Sequence, residues 1–542
     1  MRSIKKAGKL LVSRQVRVAL DDMREAQSGL LRLLSIATPM TSEFTMASRW
    51  IVGAVFGLMF ALPAMGNAGQ QRLVLAGATL IDGIDGAPIA ESRIVIVDGR
   101  FACVSGPDGC VASPGDRQFD VSGTWITPGL IDTHAHLDLV TDPERTAAAQ
   151  ALRFALGITT VRDAGSEQLE ALLDERTRAS DPDLPVPRIV ISARPLELYA
   201  EHYGVELGGE LVRRLVELGV DAIKIKDHTK TDLWEQEVRT ASELGIPIWG
   251  HTFDTIGPPP VSRTEAAIEA GLDGITHLSW IAPFCQRPGL KITPQPPGVE
   301  FHQWRKGFWL TTDSACLDAL IEDVVRDGVW LEPTLVTEWY WWRQNLEPPH
   351  ELAFLRTRPP SLRDILTGRD ALAERRPPTF PEPFARMTDF VRRFHEVGGM
   401  LIAGTDEVRP GLDLHTEMDL LRGAALTPLE SLQAATRNAA IALGRPDLGT
   451  IEVGKLADAV IYASDPLDPA GTTLNVRKVI KGGVIHEADP LLNEFRRRYR
   501  DTVRDLWVNR VLRLLRLCIF LAIVAGIGIW TLRRLPRWRP RA

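Results

Sequence analysis

The sequence predicts a (β/α)8 TIM barrel, of the α/β class, joined to a small β-sandwich-like domain. Between residues 128 and 444, short apolar strands alternate with helical segments such as RTAAAQALRFAL, which is typical of parallel βαβ units. Eight such strands can be counted, and eight units close a barrel. The flanking segments 69–127 and 445–489 instead show alternating apolar residues and glycine turns. They therefore predict one small β domain that the barrel interrupts.

The eight predicted strands are short and apolar, and up to the sixth they follow one another at intervals of about 25 to 30 residues. They cover residues 130–136, 158–164, 188–194, 220–226, 246–251, 273–279, 329–335 and 399–406. A long segment rich in proline, arginine and tryptophan, residues 336–398, separates the last two strands. Because this insertion follows a strand, we expect it on the active-site face of the barrel, as a lid or a substrate wall.

The N-terminal region differs in composition from the middle of the chain. An apolar run after Arg49, followed by small residues, is typical of a secretory signal peptide, here residues 46–68. Residues 1–45 are then a surplus extension. The alternative is an N-terminal membrane anchor preceded by a cytoplasmic arm.

The C-terminal region, residues 490–542, predicts a helix, a membrane anchor and a basic tail. Its apolar run, residues 517–532, is slightly short for a membrane span, and tilt or flanking arginines can close the gap. Together with the signal peptide, it predicts an exported catalytic part held on the extracytoplasmic or periplasmic face of a membrane. The alternative is an amphipathic helix that lies on the bilayer.

Composition and cysteine spacing exclude some functions. A net charge of −6 argues against a general nucleic-acid binder. The five cysteines contain no CxxC pair, which argues against a thiolate zinc cluster. In an exported domain, Cys103 and Cys110 can pair across the predicted turn SGPDG, and Cys285 and Cys316 can form a second disulfide. The alternative is unpaired, buried thiols.

Side chains that can bind a metal fall at the ends of the predicted strands. His134 and His136 end the first strand, His251 ends the fifth, His277 lies near the end of the sixth, and Asp406 ends the eighth. Residues i and i+2 of a strand share a face, so the His-Ala-His motif directs two imidazoles to one side, as a zinc chelate requires. These strand ends form the active site in barrels of this type. The alternative is four packing histidines and a surface aspartate.

Two lysines, Lys224 and Lys226, end the fourth predicted strand. Two lysines that face a barrel interior are unfavourable unless they are neutralised or paired. A deprotonated lysine can react with carbon dioxide, and the resulting carbamate can bridge two metal ions. The alternative is that one or both lysines point to solvent.

On these motifs, the chain resembles the amidohydrolase superfamily. The matching segments are PGLIDTHAHLD (128–138), GITTVRDAG (157–165), DAIKIK (221–226), WGHTF (249–253), GITHLS (274–279), AGTDE (403–407) and the especially specific stretch 426–466. The resemblance covers residues 72–487 and points to the branch of imidazolonepropionase-related proteins and Xaa-Pro dipeptidases.

The resemblance implies two divalent metal ions, with zinc expected and manganese or cobalt compatible with the same ligands. The implied ligands are His134, His136 and Asp406 for the first metal, His251 and His277 for the second, and a carboxylated Lys224 between them. Lys226 is the second choice for the bridge. The metals would acidify a shared water that attacks a carbonyl carbon. Asp406 would take the proton of this water and pass it to the leaving nitrogen.

The predicted function is therefore metal-dependent hydrolysis of a C–N bond in a small substrate, such as an Xaa-Pro dipeptide or an N-acyl amino acid. The alternatives are a lactone or cyclic-amide hydrolase on the same metals, and a non-catalytic binding protein that keeps the fold. Residues after the third and fourth strands are candidates for substrate contacts, each with a surface-loop role as its alternative: Arg194, Tyr199, Tyr203 and His228. Two further predictions are structural: an internal Arg162–Asp163 ion pair, and a role of Glu417 in tying the barrel together.

Overall fold

The computed structural model describes most of the region between the two termini. The described residues are 72–140, 143–225, 231–254, 261–262, 264–290, 301–342, 381–406, 409–468 and 473–493. The predicted signal peptide 46–68, the C-terminal region from residue 494 on, and both Lys226 and His228 lie outside them. In the ranges that are described, no helix is long and apolar enough to cross a membrane.

The strands are numbered here in chain order. They are β1 (Leu73–Leu80), β2 (Ile89–Val97), β3 (Arg100–Ser105), β4 (Arg117–Asp120), β5 (Trp125–Pro128), β6 (Leu130–Ala135), β7 (Ile158–Ala164), β8 (Arg188–Ala193), β9 (Ala222–Ile225), β10 (Ile248–Gly250), β11 (Phe253–Asp254), β12 (Val261–Ser262), β13 (Gly274–Thr276), β14 (Trp330–Glu332), β15 (Ala459–Tyr462), β16 (Val476–Lys481) and β17 (Val484–Glu487).

The helices are numbered in the same way. They are α1 (Pro143–Ala155), α2 (Leu169–Ala179), α3 (Glu197–Tyr203), α4 (Gly209–Glu217), α5 (Thr231–Leu244), α6 (Thr264–Ala270), α7 (Phe301–Gly307), α8 (Ser314–Arg326), α9 (Leu335–Trp342), α10 (Pro381–Glu396), α11 (Leu412–Gly423), α12 (Pro428–Ala434) and α13 (Arg437–Ala442).

One mixed sheet is built from strands on both sides of the barrel. Its order is β17-β16-β15-β5-β1-β2-β3, and β4 pairs with β1. The two chain segments meet at β5, which is parallel to β1 and antiparallel to β15. Alternate residues of these strands point to one face of the sheet, where Leu75, Ile94, Ile126 and Ile461 form a shared core.

The second sheet is the parallel barrel, with the order β14-β13-β10-β9-β8-β7-β6. The predicted eighth strand takes the remaining position, because Leu401 forms a parallel bridge with Leu331 of β14. On its other side, the backbone N–H of Thr133 in β6 donates to the carbonyl of Ala403 at 3.2 Å. The barrel is therefore nearly closed, and the predicted fold class is confirmed. Every residue of β6 and β7 is buried, as expected for strands covered on both faces.

Both predicted disulfides are present. Cys103 of β3 pairs with Cys110 across the turn that follows this strand. Cys285, in the segment after β13, pairs with Cys316 in the first turn of α8. The second bridge therefore crosslinks the long connection between β13 and β14.

Lys481 joins the small sheet to the barrel. It is completely buried at the end of β16, and its Nζ donates to the carbonyls of Asp181, Leu184 and Val186 at 2.8, 3.0 and 2.9 Å. These carbonyls belong to the turn that leads into β8. Burial lowers the pKa of Lys481 to about 8, and the nearby Arg188 guanidinium adds to this effect.

We expect Lys481→Met to lower the free energy of unfolding by about 2–4 kcal/mol, because three carbonyls in a packed turn lose their donor. Urea denaturation followed by circular dichroism measures the change. The control is Lys478→Met on the same strand, whose lysine forms a partly exposed ion pair with Glu487. Its effect should stay within about 0.5 kcal/mol. Equal losses for the two variants would contradict the role given to Lys481.

Glu237 of α5 is an isolated acid in the core. It has no exposed surface, and within the described part of the chain neither carboxylate oxygen has a hydrogen-bond partner. Burial raises the pKa of Glu237 to about 8, compared with about 4.3 in an unfolded chain. The folded protein thus holds this proton more tightly than the unfolded chain does, so stability falls as the pH rises from about 5 to about 8.

We expect Glu237→Met to raise the free energy of unfolding at pH 8 by about 2–4 kcal/mol, and to flatten the loss of stability between about pH 5 and pH 8. The apolar side chain has a similar volume and needs no proton. Urea denaturation at several pH values tests this, with Glu235→Met on the same helix as the control. An unchanged pH slope in Glu237→Met would show that this carboxyl does not titrate as the burial implies.

Candidate metal centre

The C-terminal ends of four barrel strands bring histidines and one aspartate together. The ring centroids of His134 and His136 are 5.4 Å apart, those of His134 and His277 are 4.9 Å apart, and those of His251 and His277 are 5.0 Å apart. Asp406 Oδ1 lies 3.4 Å from His136 Nε2 and 3.8 Å from His134 Nε2. Its other oxygen, Oδ2, lies 3.7 Å from His277 Nε2. These five predicted site residues therefore form one cluster.

The arrangement of three of these residues fits a metal ion. One ligand atom from each of His134, His136 and Asp406 lies within 4.8 Å of the others. A tetrahedral zinc ion with bonds of about 2.0–2.1 Å needs ligand atoms about 3.3 Å apart. The distances of 3.4 and 3.8 Å from the Asp406 carboxylate to the two histidine nitrogens are close to that value.

Hydrogen bonds on the far side of two imidazoles set their tautomers. His134 Nδ1 lies 2.8 Å from Glu332 Oε2, a carboxylate oxygen that can only accept. His277 Nδ1 lies 2.7 Å from the hydroxyl of Thr334, which itself donates to the Pro333 carbonyl at 2.8 Å. Both Nδ1 atoms therefore carry the proton, and both Nε2 lone pairs face the centre, as metal ligation requires.

The electrostatics of the centre keep these imidazoles neutral. Burial lowers the pKa of His134 to about 4, and the neighbouring Lys224 lowers it further than burial alone would. Burial also holds the pKa of His277 well below its usual value. For Asp406, burial would raise the pKa, but the hydrogen bond from His136 and favourable electrostatic interactions with the neighbouring imidazoles hold it well below the usual value. An ionised carboxylate beside neutral imidazoles is the protonation state that binds a divalent cation.

Three residues at the strand ends have an unusual backbone. His277, Thr334 and Asp406 have φ values of 67°, 49° and 46°, in the left-handed region that non-glycine residues rarely adopt. Each turns the chain sharply where a strand ends, which explains why the observed strands stop before these residues. Such conformations occur preferentially at functional sites.

Lys224 faces the barrel interior. Its side chain is buried, and Nζ donates to His134 Nε2 at 3.1 Å. The amine therefore points at the same space as the histidine nitrogens. His251, beyond the end of β10, stacks on Trp280 with ring centroids 4.7 Å apart and an interplanar angle of 23°. The bridging role predicted for Lys224 stays a prediction, and Lys226 lies outside the described residues.

The residues predicted to contact substrate have partners within the protein. Arg194 donates to Glu167 Oε1 at 2.6 Å, and the Tyr203 hydroxyl donates to Glu170 Oε1 at 2.7 Å. The Tyr199 hydroxyl donates to the carbonyl of Ser166 at 3.3 Å. All three bonds hold the segment that follows β7, beside the site. Substrate contact by these residues stays a prediction, and His228 lies outside the described residues.

Glu332 was not predicted from the sequence, and the ion-pair partner predicted for Arg162 was the wrong one. The Arg162 guanidinium forms its ion pair with Glu332 at 3.3 Å, whereas Asp163 accepts backbone N–H groups of Leu137 and Gly165. The predicted Arg162–Asp163 pair is therefore wrong. A lone acid in the apolar strand VWLEPTL was the available signal for Glu332, because a buried charge requires a partner.

Glu417 has the tying role that was predicted. Its carboxylate accepts the backbone N–H groups of Leu335 and Val336 at 2.9 and 2.6 Å. These groups form the N-terminus of α9, directly after the seventh barrel strand. Glu417 therefore fixes α11 to the segment that carries Thr334.

Comparisons with known proteins agree with this architecture. A family model described as "Amidohydrolase family" matches residues 125–486. An uncharacterized protein of Mycobacterium bovis is 28% identical over 423 residues, which cover 72% of this chain and 91% of the relative. A probable imidazolonepropionase of Danio rerio is 23% identical over 462 residues, covering 78% of this chain and 92% of the relative. A solved Xaa-Pro dipeptidase with bound methionine in the active site has a similar fold, with a TM-score of 0.54, 18% identity, and coverage of 77% of this chain and 100% of its own.

Proposed function

Because the chain belongs to the amidohydrolase family, and is therefore a hydrolase, we propose that it cleaves a C–N bond in a small substrate with the help of two divalent metal ions. The observation that carries the proposal is the convergence of three imidazole Nε2 atoms on the Asp406 carboxylate. Histidine nitrogens with one carboxylate are the ligands that catalytic zinc prefers. Zinc is the expected metal, and manganese or cobalt also suits these ligands.

The metals, when bound, would polarise the substrate carbonyl and make a water more acidic. Residues of the chain would hold the metals and move the proton. His134 and His277 present neutral Nε2 atoms because their Nδ1 protons are donated elsewhere. Asp406 is held as a carboxylate, so one of its oxygens can accept the proton of the attacking water and pass it to the leaving nitrogen.

Lys224, as a carbamate, would add an anionic bridge between the two metals. Its position supports this proposal, because a buried amine 3.1 Å from His134 Nε2 already points at the metal ligands. A protonated lysine there would repel a divalent cation, whereas a carbamate would attract one. His251 and His277 would complete the second site.

Xaa-Pro dipeptides and N-acyl amino acids are the substrates we propose first. The fold shared with an Xaa-Pro dipeptidase supports this class. A lactone or cyclic amide is the second candidate, favoured by the similarity to a probable imidazolonepropionase over most of its length. Both classes present a carbonyl carbon to the same centre.

A product assay on the metal-replete full-length chain tests the proposal. The panel contains Xaa-Pro dipeptides, other dipeptides, N-acyl amino acids, lactones and cyclic amides. We expect release of a free amino acid from one of the linear classes, lost on chelation and restored by zinc. Ring opening alone would select the second candidate. No turnover of any class by protein with bound metals would overturn the proposed activity.

We further propose that the protein works outside the cytoplasm, attached to a membrane through residues 517–532. The Cys103–Cys110 and Cys285–Cys316 disulfides support an oxidising compartment. Cell fractionation combined with non-reducing peptide mass spectrometry tests both statements. Recovery in the soluble cytoplasmic fraction with free thiols would contradict them.

A further inference from the structure

A buried carboxylate lies directly beneath the candidate metal centre. Glu332, the last residue of β14, has no exposed surface. Four side chains donate to its two oxygens: Thr133 at 2.6 Å, His134 at 2.8 Å, Thr276 at 2.9 Å and Arg162 at 3.3 Å. These donors come from β6, β7 and β13, so the carboxylate is held from three other strands of the barrel.

The charge of this carboxylate is matched inside the barrel. The Arg162 guanidinium pairs with Glu332, donates to the Ser192 hydroxyl at 3.3 Å, and lies over the Trp249 ring at 3.7 Å from its centroid. Its Nε also donates to the Thr133 carbonyl. Arg162 is therefore fixed on several sides, and it holds the position and the charge of Glu332.

The chain also leaves space for this pair at Gly404. A Cβ atom there would lie 2.7 Å from Glu332 Oε1 and 2.8 Å from both His134 Cβ and Thr133 Oγ1. Real contacts are not this short, so a side chain at residue 404 would push the carboxylate or the histidine aside. The glycine two residues before Asp406 is thus required by the packing of the His134–Glu332 pair.

We propose that Glu332 is a positioning residue, which holds His134 as the Nδ1–H tautomer and directs its Nε2 at the metal. This inference rests on the metal-dependent function proposed above. An imidazole with no acceptor at Nδ1 can rotate or exchange tautomers, and either change removes the Nε2 lone pair from the centre. The Thr133 and Thr276 hydroxyls fix the plane of the carboxylate, and Arg162 keeps it ionised.

The test compares two buried glutamates. Glu332→Gln keeps the volume of the side chain but replaces one acceptor oxygen with an NH2 group that can only donate. Glu237→Gln is the matched control, because Glu237 of α5 is equally buried and, within the described residues, its carboxylate oxygens have no hydrogen-bond partner. Each full-length variant is stripped with a chelator and titrated with cobalt(II), whose visible spectrum reports ligand geometry.

We expect Glu332→Gln to bind cobalt about 10–100-fold more weakly than the unaltered protein and to show a changed visible spectrum. Glu237→Gln should keep the affinity and the spectrum. Unaltered protein that binds no cobalt would overturn the proposed metal-dependent function. Unaltered protein and Glu332→Gln that bind equally, with the same spectrum, would overturn the positioning role alone.

A second variant keeps the test decisive if Glu332→Gln does not fold. Thr276→Val removes one donor to Oε2, the same oxygen that accepts from His134, and preserves the shape of the side chain. A changed cobalt spectrum in folded Thr276→Val would support the positioning role. An unchanged spectrum and affinity would overturn it.

Discussion

Asp406→Asn will lower kcat/KM by about 10³-fold or more, while the protein keeps its fold. The carboxylate of Asp406 lies within 3.8 Å of the Nε2 atoms of three histidines, so it is both the proposed anionic ligand and the proposed proton carrier. An asparagine amide binds a cation more weakly and cannot accept the proton of the attacking water. Steady-state kinetics on the substrate class found with the panel measure the loss, and elemental analysis measures the bound metal.

The matched control is Asp273→Asn. Asp273 precedes β13 and accepts the backbone N–H of Ile248 at 2.8 Å, at the opposite end of the barrel strands. Asparagine can keep this bond, so the control should retain activity and metal. Asp406→Asn with near-normal kcat/KM would show that another group carries the proton. Loss of activity in both variants would point to damage of the barrel rather than of the site.

The barrel could be predicted because its signal is local and repeated. Parallel strands covered on both faces are short apolar runs, and β6 and β7 show this in every residue. The ends of the strands were less predictable. The strand predicted over residues 273–279 stops at Thr276, because His277 adopts a left-handed backbone that no local pattern indicates. The eighth strand, predicted over residues 399–406, is reduced to a bridge at Leu401.

The candidate site could also be predicted only in part. The histidines and Asp406 were visible because each ends a strand, and strand ends meet at one face of a barrel. The role of Glu332 could not be predicted, since the residues that donate to its carboxylate lie 56 to 199 positions away in the chain. Arg162 has an acid next to it in sequence, yet a β-strand directs neighbouring side chains to opposite faces. The acid across the barrel, Glu332, is therefore its partner.

Lys224→Ala will lose at least one metal ion and lower kcat/KM by about 10²-fold or more. The lysine is buried with Nζ 3.1 Å from His134 Nε2, so its removal leaves a space beside the metal ligands and no anion to bridge them. Elemental analysis and kinetics measure the two losses. Lys455→Ala, which removes a partly exposed surface lysine paired with Glu452, is the control and should change neither quantity.

A carbamate bridge predicts a further property that an unmodified lysine does not. Short carboxylic acids, or bicarbonate at high concentration, should enter the space in Lys224→Ala and restore part of the activity, because a carboxylate resembles the missing bridge. Lys224→Glu supplies a fixed carboxylate, so its metal loading should not depend on bicarbonate, whereas that of the unaltered protein should. Lys224→Ala with two metals and full activity would show that the bridge lies elsewhere, and Lys226 would then be the next residue to replace.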